Sequence, residues 1–308
     1  MPVKKLFSIV KNVFSNNGKS LRIMQFNTWN FGNNVIDGIY KLSKHIQLIQ
    51  PDMVSLQEVN TVEAFGKLME KLGPEWSGVT SPCTTNTNLA IATRHQIINE
   101  MPSTNTSHGV NIKLKDTNEI ISFWSLHLDW QSYGPYAANN KQVTKMEQIM
   151  KGEYSPRKDG RVPAFQEAIK NSDKIPLIAC GDFNTPSHLD WIEGNKDIHG
   201  GWVVQWPATY LLETKAGLID SFRQIHPNPI KTPGITWSTV HQASGYEWDY
   251  SIPEPLDRID FVMYKSAKLK PFNSFTYSGS EPLTQVPNTQ NNDYPSDHFA
   301  VVTDFMFK

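Results

Sequence analysis

The chain has 308 residues, 39% hydrophobic and 19% charged, with a formal net charge of −1. This composition can build the core of one large domain or two small ones. It lacks the overall basic field that dominates non-specific duplex binding, although a local basic groove stays compatible with a nucleic-acid substrate. Two cysteines, Cys83 and Cys180, make no disulfide framework and leave the redox compartment open.

Residues 1–20 carry Lys4, Lys5 and Lys11 around Leu6, Phe7, Ile9, Val10, Val13 and Phe14. That spacing suits one or two amphipathic helical turns or a flexible lead-in, and its interrupted apolar run is poor for a secretory signal. No stretch approaches the roughly 20 apolar residues that span a bilayer. Localisation is open on these grounds, with the cytoplasm slightly favoured over a membrane-surface or export role. Beyond residue 20, apolar β-rich runs predict strands over 21–26, 53–56, 89–93, 120–126, 175–179, 258–264 and 299–305. Helical spacing predicts helices over 35–49, stopped by Pro51, over 61–72, stopped by Gly73-Pro74, and over 136–150 and 163–170. Strands interleaved with helices imply an α/β protein. No repeat or low-complexity linker divides residues 21–308, which read as a single domain. The proline-rich stretch from Trp191 to Trp248 reads as long surface loops and as the source of substrate choice. Its Trp191, Trp202, Trp206, Tyr210, Trp237 and Trp248, with Tyr250, suit stacking on bases, burial in a lipid interface, or plain loop packing.

Polar residues recur where strands end. Asn27, Glu58, His127 and the pair Asp182 and Asn184 each follow an apolar run, whereas Asp297-His298 precedes one. If the last strand runs antiparallel to the others, all these groups meet at one edge. A core has no need of that pattern. A carboxylate such as Glu58 beside a buried strand is costly unless it is paired or binds a cation, the plain alternative being a cap or salt bridge. In Gly181-Asp182-Phe183-Asn184 an extended chain would point Asp182 and Asn184 to one side, able to orient a water and hold phosphate oxygens; an Asx turn is the alternative. His127 can exchange protons near neutral pH, with Asp129 alternating onto its side. In Asp257-Arg258-Ile259-Asp260 the two acids fall on opposite faces, and Asp257 reads as a turn or salt-bridge residue. Arg94, where a strand meets a loop, is left outside the site.

The motifs Gln25-Phe26-Asn27-Thr28-Trp29-Asn30, Ser55-Leu56-Gln57-Glu58-Val59, Cys180-Gly181-Asp182-Phe183-Asn184, Leu256-Asp257-Arg258-Ile259-Asp260-Phe261 and Tyr294-Pro295-Ser296-Asp297-His298, in this order, resemble the endonuclease/exonuclease/phosphatase (DNase I-like) superfamily. The resemblance covers roughly residues 21–308. It implies two packed mixed β-sheets flanked by helices and a Mg²⁺-dependent phosphoric ester hydrolase, with Mn²⁺ as substitute. It further implies metal binding by Glu58 as principal ligand with Asp297, Asn27 and Asp182. Catalysis falls to His127, Asp182, Asn184, Asp260 and His298, and substrate contact to Asn27, Asn184 and His127. Asp260, just before an apolar strand, is expected to accept from a ring nitrogen of His298. The chain departs from the exonuclease branch in lacking a lysine two residues after Glu58, and from the inositol polyphosphate 5-phosphatases in lacking a Trp-Cys-Asp-Arg run. His127 brings it nearer the DNase I and sphingomyelinase side. A monomeric phosphodiesterase acting on nucleic acid, a nucleotide, a lipid headgroup or a small diester is expected. A phosphomonoesterase on inositol-type or nucleotide substrates, and an inactive scaffold of the same fold, are the alternatives.

Overall fold

A computed structural model describes residues 20–82, 87–154, 175–244 and 251–308. Twelve strands form two six-stranded sheets among these residues. The first contains β1 (Ser20–Asn27), β2 (Met53–Val59), β3 (Ser77–Thr80), β4 (Asn88–Thr93), β11 (Leu269–Tyr277) and β12 (Ala300–Phe307), in the order β11-β12-β1-β2-β4-β3. The second contains β5 (Gln96–Glu100), β6 (Ser107–Lys113), β7 (Ile120–His127), β8 (Leu177–Asp182), β9 (Ile219–Asp220) and β10 (Asp260–Lys265), in the order β5-β6-β7-β8-β10-β9. Leu21, Ile23, Met53, Ile91 and Phe305 of the first sheet pack against Ile112, Phe123, Ile178, Cys180 and Val262 of the second. The alternate residues of the first sheet, among them Met24, Phe26, Val54 and Leu56, pack against α1 (Gly38–Ile49) and α2 (Val62–Leu72). The outer face of the second sheet packs on Ala208, Leu212 and Ala216 of α5 (Pro207–Ala216). With apolar groups needed on both faces, the central strands read as continuous hydrophobic runs, and the expected architecture of two mixed sheets between helical layers is present.

Direction follows from the pairing. β1 is parallel to β2 and β7 is parallel to β8, while β12 runs antiparallel to β1 and β10 antiparallel to β8. The C-terminal ends of β1, β2, β7 and β8 therefore share an edge with the N-terminal ends of β10 and β12.

Several predicted elements need correction. The helix over 136–150 is two short ones, α3 (Gly134–Asn139) and α4 (Met146–Met150). The Asn140 side chain donates to the Tyr136 carbonyl at the break and competes with the helical ladder. β11 escapes the alternation pattern because Pro271 interrupts it. It lies on the sheet edge with a register shift beside Pro271, where a missing N–H is tolerated. The predicted helix 163–170 lies outside the described residues. The stretch after Trp191 is no set of surface loops: Trp191 and Trp206 are buried with Val204 and Ile149, and the stretch includes α5 and α6 (Ser221–Ile225).

Candidate active site

Six strands deliver polar side chains to the shared edge. Asn27 closes β1, and its amide nitrogen donates to Glu58 Oε1 at 3.2 Å and to Asp182 Oδ2 at 2.9 Å. Its oxygen faces the other way and accepts from the Trp29 N–H at 3.0 Å. Asn27 thus ties a carboxylate of one sheet to a carboxylate of the other. Glu58 sits at a bulge in β2, where pairing with β4 slips between Gln57 and Val59. Its φ of 61° is in the left-handed region, which an L side chain other than Asn or Asp rarely occupies. Such strain costs on the order of 1 kcal/mol or more and persists where the surroundings over-determine it. Here it turns the half-buried carboxylate out of the pleat, where the Asn30 N–H meets Oε2 at 2.6 Å.

Asp182, at the end of β8, is 1% exposed. The Asn184 N–H donates to its Oδ1 at 2.8 Å, closing an Asx turn, and Asn184 takes a φ of 50°. The two side chains are therefore not alternate residues of an extended strand, as the sequence reading expected. The turn lets Phe183 bury against Phe261 while Asp182 and Asn184 both line the same cavity. His127, paired in register with Asp182, places Nε2 3.6 Å from Asp182 Oδ2. His298 Nε2 also lies 3.6 Å from that oxygen. One carboxylate oxygen thus faces two imidazoles. Burial raises the Asp182 pKa, His298 and His127 lower it and Asp260 raises it, the outcome being about 6.

Asp260 opens β10 directly opposite Asp182 and accepts from His298 Nδ1 at 2.8 Å. Burial lowers the His298 pKa, but the Asp260 and Asp182 carboxylates outweigh it and carry the ring to about 10. Gln25 donates to the second oxygen of Asp260 at 3.2 Å. Asp297 accepts from His241 Nε2 at 3.1 Å through Oδ2, whereas its buried Oδ1 has no hydrogen-bond partner among the described residues. These groups share a cavity of about 240 Å³ lined by Glu58, His127, Asp182, Asn184, Asp297 and His298 on its polar side and by aromatic rings opposite.

Sequence reasoning missed three partners. Asn88, not Asp129, contacts His127 Nδ1 through Oδ1 at 2.9 Å, while Asp129 accepts the Gln131 N–H. His241 and Gln25 hold Asp297 and Asp260. Only their polarity next to motif residues could have pointed to Gln25 and Asn88. Arg94 pairs with Asp52 at 3.0 Å, beyond the opposite end of the antiparallel β4. Asp257 lies in an isolated β-bridge with Trp237 and not in a turn, and it makes no salt bridge among the described residues. It is buried, and accepts from Trp191 Nε1 at 2.8 Å and the Tyr133 hydroxyl at 3.0 Å.

Residues 24–298 match the family described as Endonuclease/Exonuclease/phosphatase. The chain belongs to this family. Its members are hydrolases of phosphate esters. Over 293 residues the chain is 47% identical to the Caenorhabditis elegans "Uncharacterized protein F14F9.5", covering 93% of this chain and 91% of that one. It is 28% identical over 147 residues to the CCR4-Not complex 3'-5'-exoribonuclease subunit Ccr4 of Coccidioides immitis, covering 47% of this chain and only 18% of that protein. The fold is similar to that of the human Nocturnin catalytic domain with bound sulfate anion, at 17% identity, TM-score 0.54, and coverage of 94% and 95% of the two chains. It is also similar to D. rerio TDP2 complexed with single strand DNA product, at 15% identity, TM-score 0.56, and coverage of 93% and 99%.

The donor set of the family member suits a hard divalent cation. Glu58, Asp182 and Asp297 bring three carboxylates to a cavity whose described lining holds no Lys or Arg, and one buried Asp297 oxygen lacks a hydrogen-bond partner. Oxygen ligands in that number fit Mg²⁺ or Mn²⁺. Asp182, Asp260 and His298 also approach within ligand distance of one another. Asp260 and His298 are, however, already joined by a hydrogen bond that a cation there would break.

Proposed function

We propose that this protein is a Mg²⁺-dependent phosphodiesterase, with Mn²⁺ able to substitute, in which residues 21–308 act as one monomeric catalytic unit. The observation that carries the reading is the convergence of His127 and His298 on one oxygen of Asp182, with Glu58 and Asp297 alongside. Glu58 and Asp297, with Asp182 beside them, would hold the cation, which supplies Lewis-acid neutralisation of the phosphate charge. Asn27 holds Glu58 and Asp182 at fixed spacing. Asn184, whose amide donates to the Leu128 carbonyl, lines the floor on which substrate oxygens rest.

The Asp260 and Asp182 carboxylates favour the protonated ring of His298 against the effect of burial, which makes it a poor base. His298 then acts as a cation that stabilises the negative oxygens of the pentacovalent transition state, and Asp260 fixes the orientation of its ring. Asp182, buried and facing both imidazoles, would orient the attacking water and accept its proton. His127, oriented by Asn88, stands across Asp182 from His298, where it can donate to the leaving oxygen. The absence of Lys and Arg from the described lining favours a singly charged diester over a dianionic monoester. The names of Ccr4 and TDP2 support nucleic acid as the substrate class.

The test is hydrolysis of bis-p-nitrophenyl phosphate and p-nitrophenyl phosphate with Mg²⁺, with Mn²⁺ and with EDTA. Cation-dependent cleavage with the diester preferred is the expected result. Monoester preference would contradict the diester reading, and activity unaffected by EDTA would contradict the cation.

A further inference from the structure

The aromatic part of the cavity lining is built from Trp130, Tyr133, Tyr136 and Trp237. Of the aromatic residues singled out from Trp191 onward, Trp237 is among them. The Trp237 ring centroid lies 4.7 Å from that of His298, and Tyr133 and Tyr136 meet edge to face at 5.2 Å. Trp130, at the mouth, is 45% exposed.

The polar tips of Tyr133, Tyr136 and Trp237 are bonded to two buried carboxylates. The Tyr136 hydroxyl donates to Glu254 at 2.9 Å to Oε1 and 3.2 Å to Oε2, the Trp237 indole N–H donates to the same carboxylate, and the Tyr133 hydroxyl donates to Asp257 at 3.0 Å. Glu254 is 7% and Asp257 4% exposed, and neither has a Lys or Arg ion-pair partner among the described residues. Burial raises the pKa of both. Phenylalanine in place of the tyrosines would fill the wall with no buried charge behind it, so the two carboxylates cost the fold stability. What they gain is orientation. The Tyr133 and Tyr136 hydroxyls and the Trp237 indole N–H are tied to these carboxylates, which leaves ring carbons to line the cavity, one Trp237 face being stacked on His241 at 5.0 Å. A sugar would need those polar groups, whereas a flat heterocycle or a quaternary ammonium can use the rings, and the nucleic-acid reading above favours the heterocycle.

We propose that Trp130, Tyr133, Tyr136 and Trp237 form a stacking subsite for a nucleobase carried on the scissile phosphate, with Glu254 and Asp257 as positioning residues behind it. This rests on the phosphodiesterase reading and gives it a substrate class. The experiment compares thymidine 5'-(p-nitrophenyl phosphate) with methyl p-nitrophenyl phosphate, which share a leaving group and a charge. Wild type should favour the thymidine ester in kcat/KM by about tenfold or more, as expected of one base stacked on aromatic side chains. Trp130→Ala, at an exposed position that does not endanger folding, and Glu254→Ala should bring that ratio to within about twofold. Glu254→Gln, which keeps an accepting oxygen, should retain most of it. A ratio near one in wild type, or a ratio unchanged while both rates fall in Glu254→Ala, would overturn the proposal. If neither ester is cleaved, the phosphodiesterase reading fails separately, and quenching of tryptophan fluorescence by thymidine 5'-monophosphate decides the subsite. Quenching that Trp130→Ala weakens about tenfold supports it. Unaltered quenching, or stronger binding of glycerophosphocholine, overturns it.

Discussion

Asp257 shows how a residue outside the reaction can record its surroundings. Burial drives its pKa up to about 7, with the Trp191 and Tyr133 hydrogen bonds only partly opposing. The folded state therefore binds more protons than the unfolded state between about pH 4 and 7, and stability falls as pH rises across that window. Asp257→Asn keeps an oxygen for Trp191 and presents an NH₂ that Tyr133 can accept, so it removes the charge without removing the contacts. At pH 8 the variant should be more stable than wild type by at least about 1 kcal/mol, since each pKa unit is worth about 1.4 kcal/mol. That advantage should vanish near pH 4. Urea unfolding at the two pH values measures it, and a pH-independent difference would show that Asp257 is charged in the fold throughout.

At the scale of elements, strand ends and turns set the site, and their legibility in the sequence varies. Asn27, Glu58, Asp182 and His298 are visible because polar residues interrupt apolar runs at strand boundaries, a local pattern. Asn88 and His241 are not, since each meets its partner across dozens of residues, as with the 39 between Asn88 and His127. The left-handed turns at Glu58 and Asn184 are also hidden, because neither residue is the glycine that signals such a backbone. Helix boundaries are easier to read. Thr61 caps α2 by accepting the Ala64 N–H at 3.0 Å, and Gly73 ends it. Thr61→Ala should therefore cost about 1 kcal/mol, seen as a lower thermal midpoint. No change would mean that tertiary packing alone holds the first turn of α2, the element that follows Glu58.

Across the whole molecule, the site exists because two sheets stack with their functional edges together. The first supplies Asn27, Glu58 and the approach to β12 that carries Asp297 and His298. The second supplies His127, Asp182 and Asp260. Neither sheet holds the full set, and the bridges between them, Asn27 to Asp182 and His298 to Asp260, are all buried. The central strands were anticipated, since their apolar runs are long, and the two sheets were implied by the family resemblance; the strands β3, β5, β6, β9 and β11 were not. The aromatic wall was not: Trp130, Tyr133 and Tyr136 come from the segment just after β7, whose tyrosines are held by hydrogen bonds to the distant Asp257 and Glu254. No helix among the described residues is long and apolar enough to cross a membrane.

The most direct test of this account is a Mg²⁺ titration of EDTA-stripped protein, following diester hydrolysis in wild type, Glu58→Gln and His298→Ala. A ligand and a transition-state group should separate cleanly. Glu58→Gln should raise the Mg²⁺ concentration for half-maximal rate about tenfold or more. His298→Ala should lower the plateau by roughly 10²–10³-fold and move the midpoint much less. A near-normal plateau in His298→Ala, or an unmoved midpoint in Glu58→Gln, would contradict it.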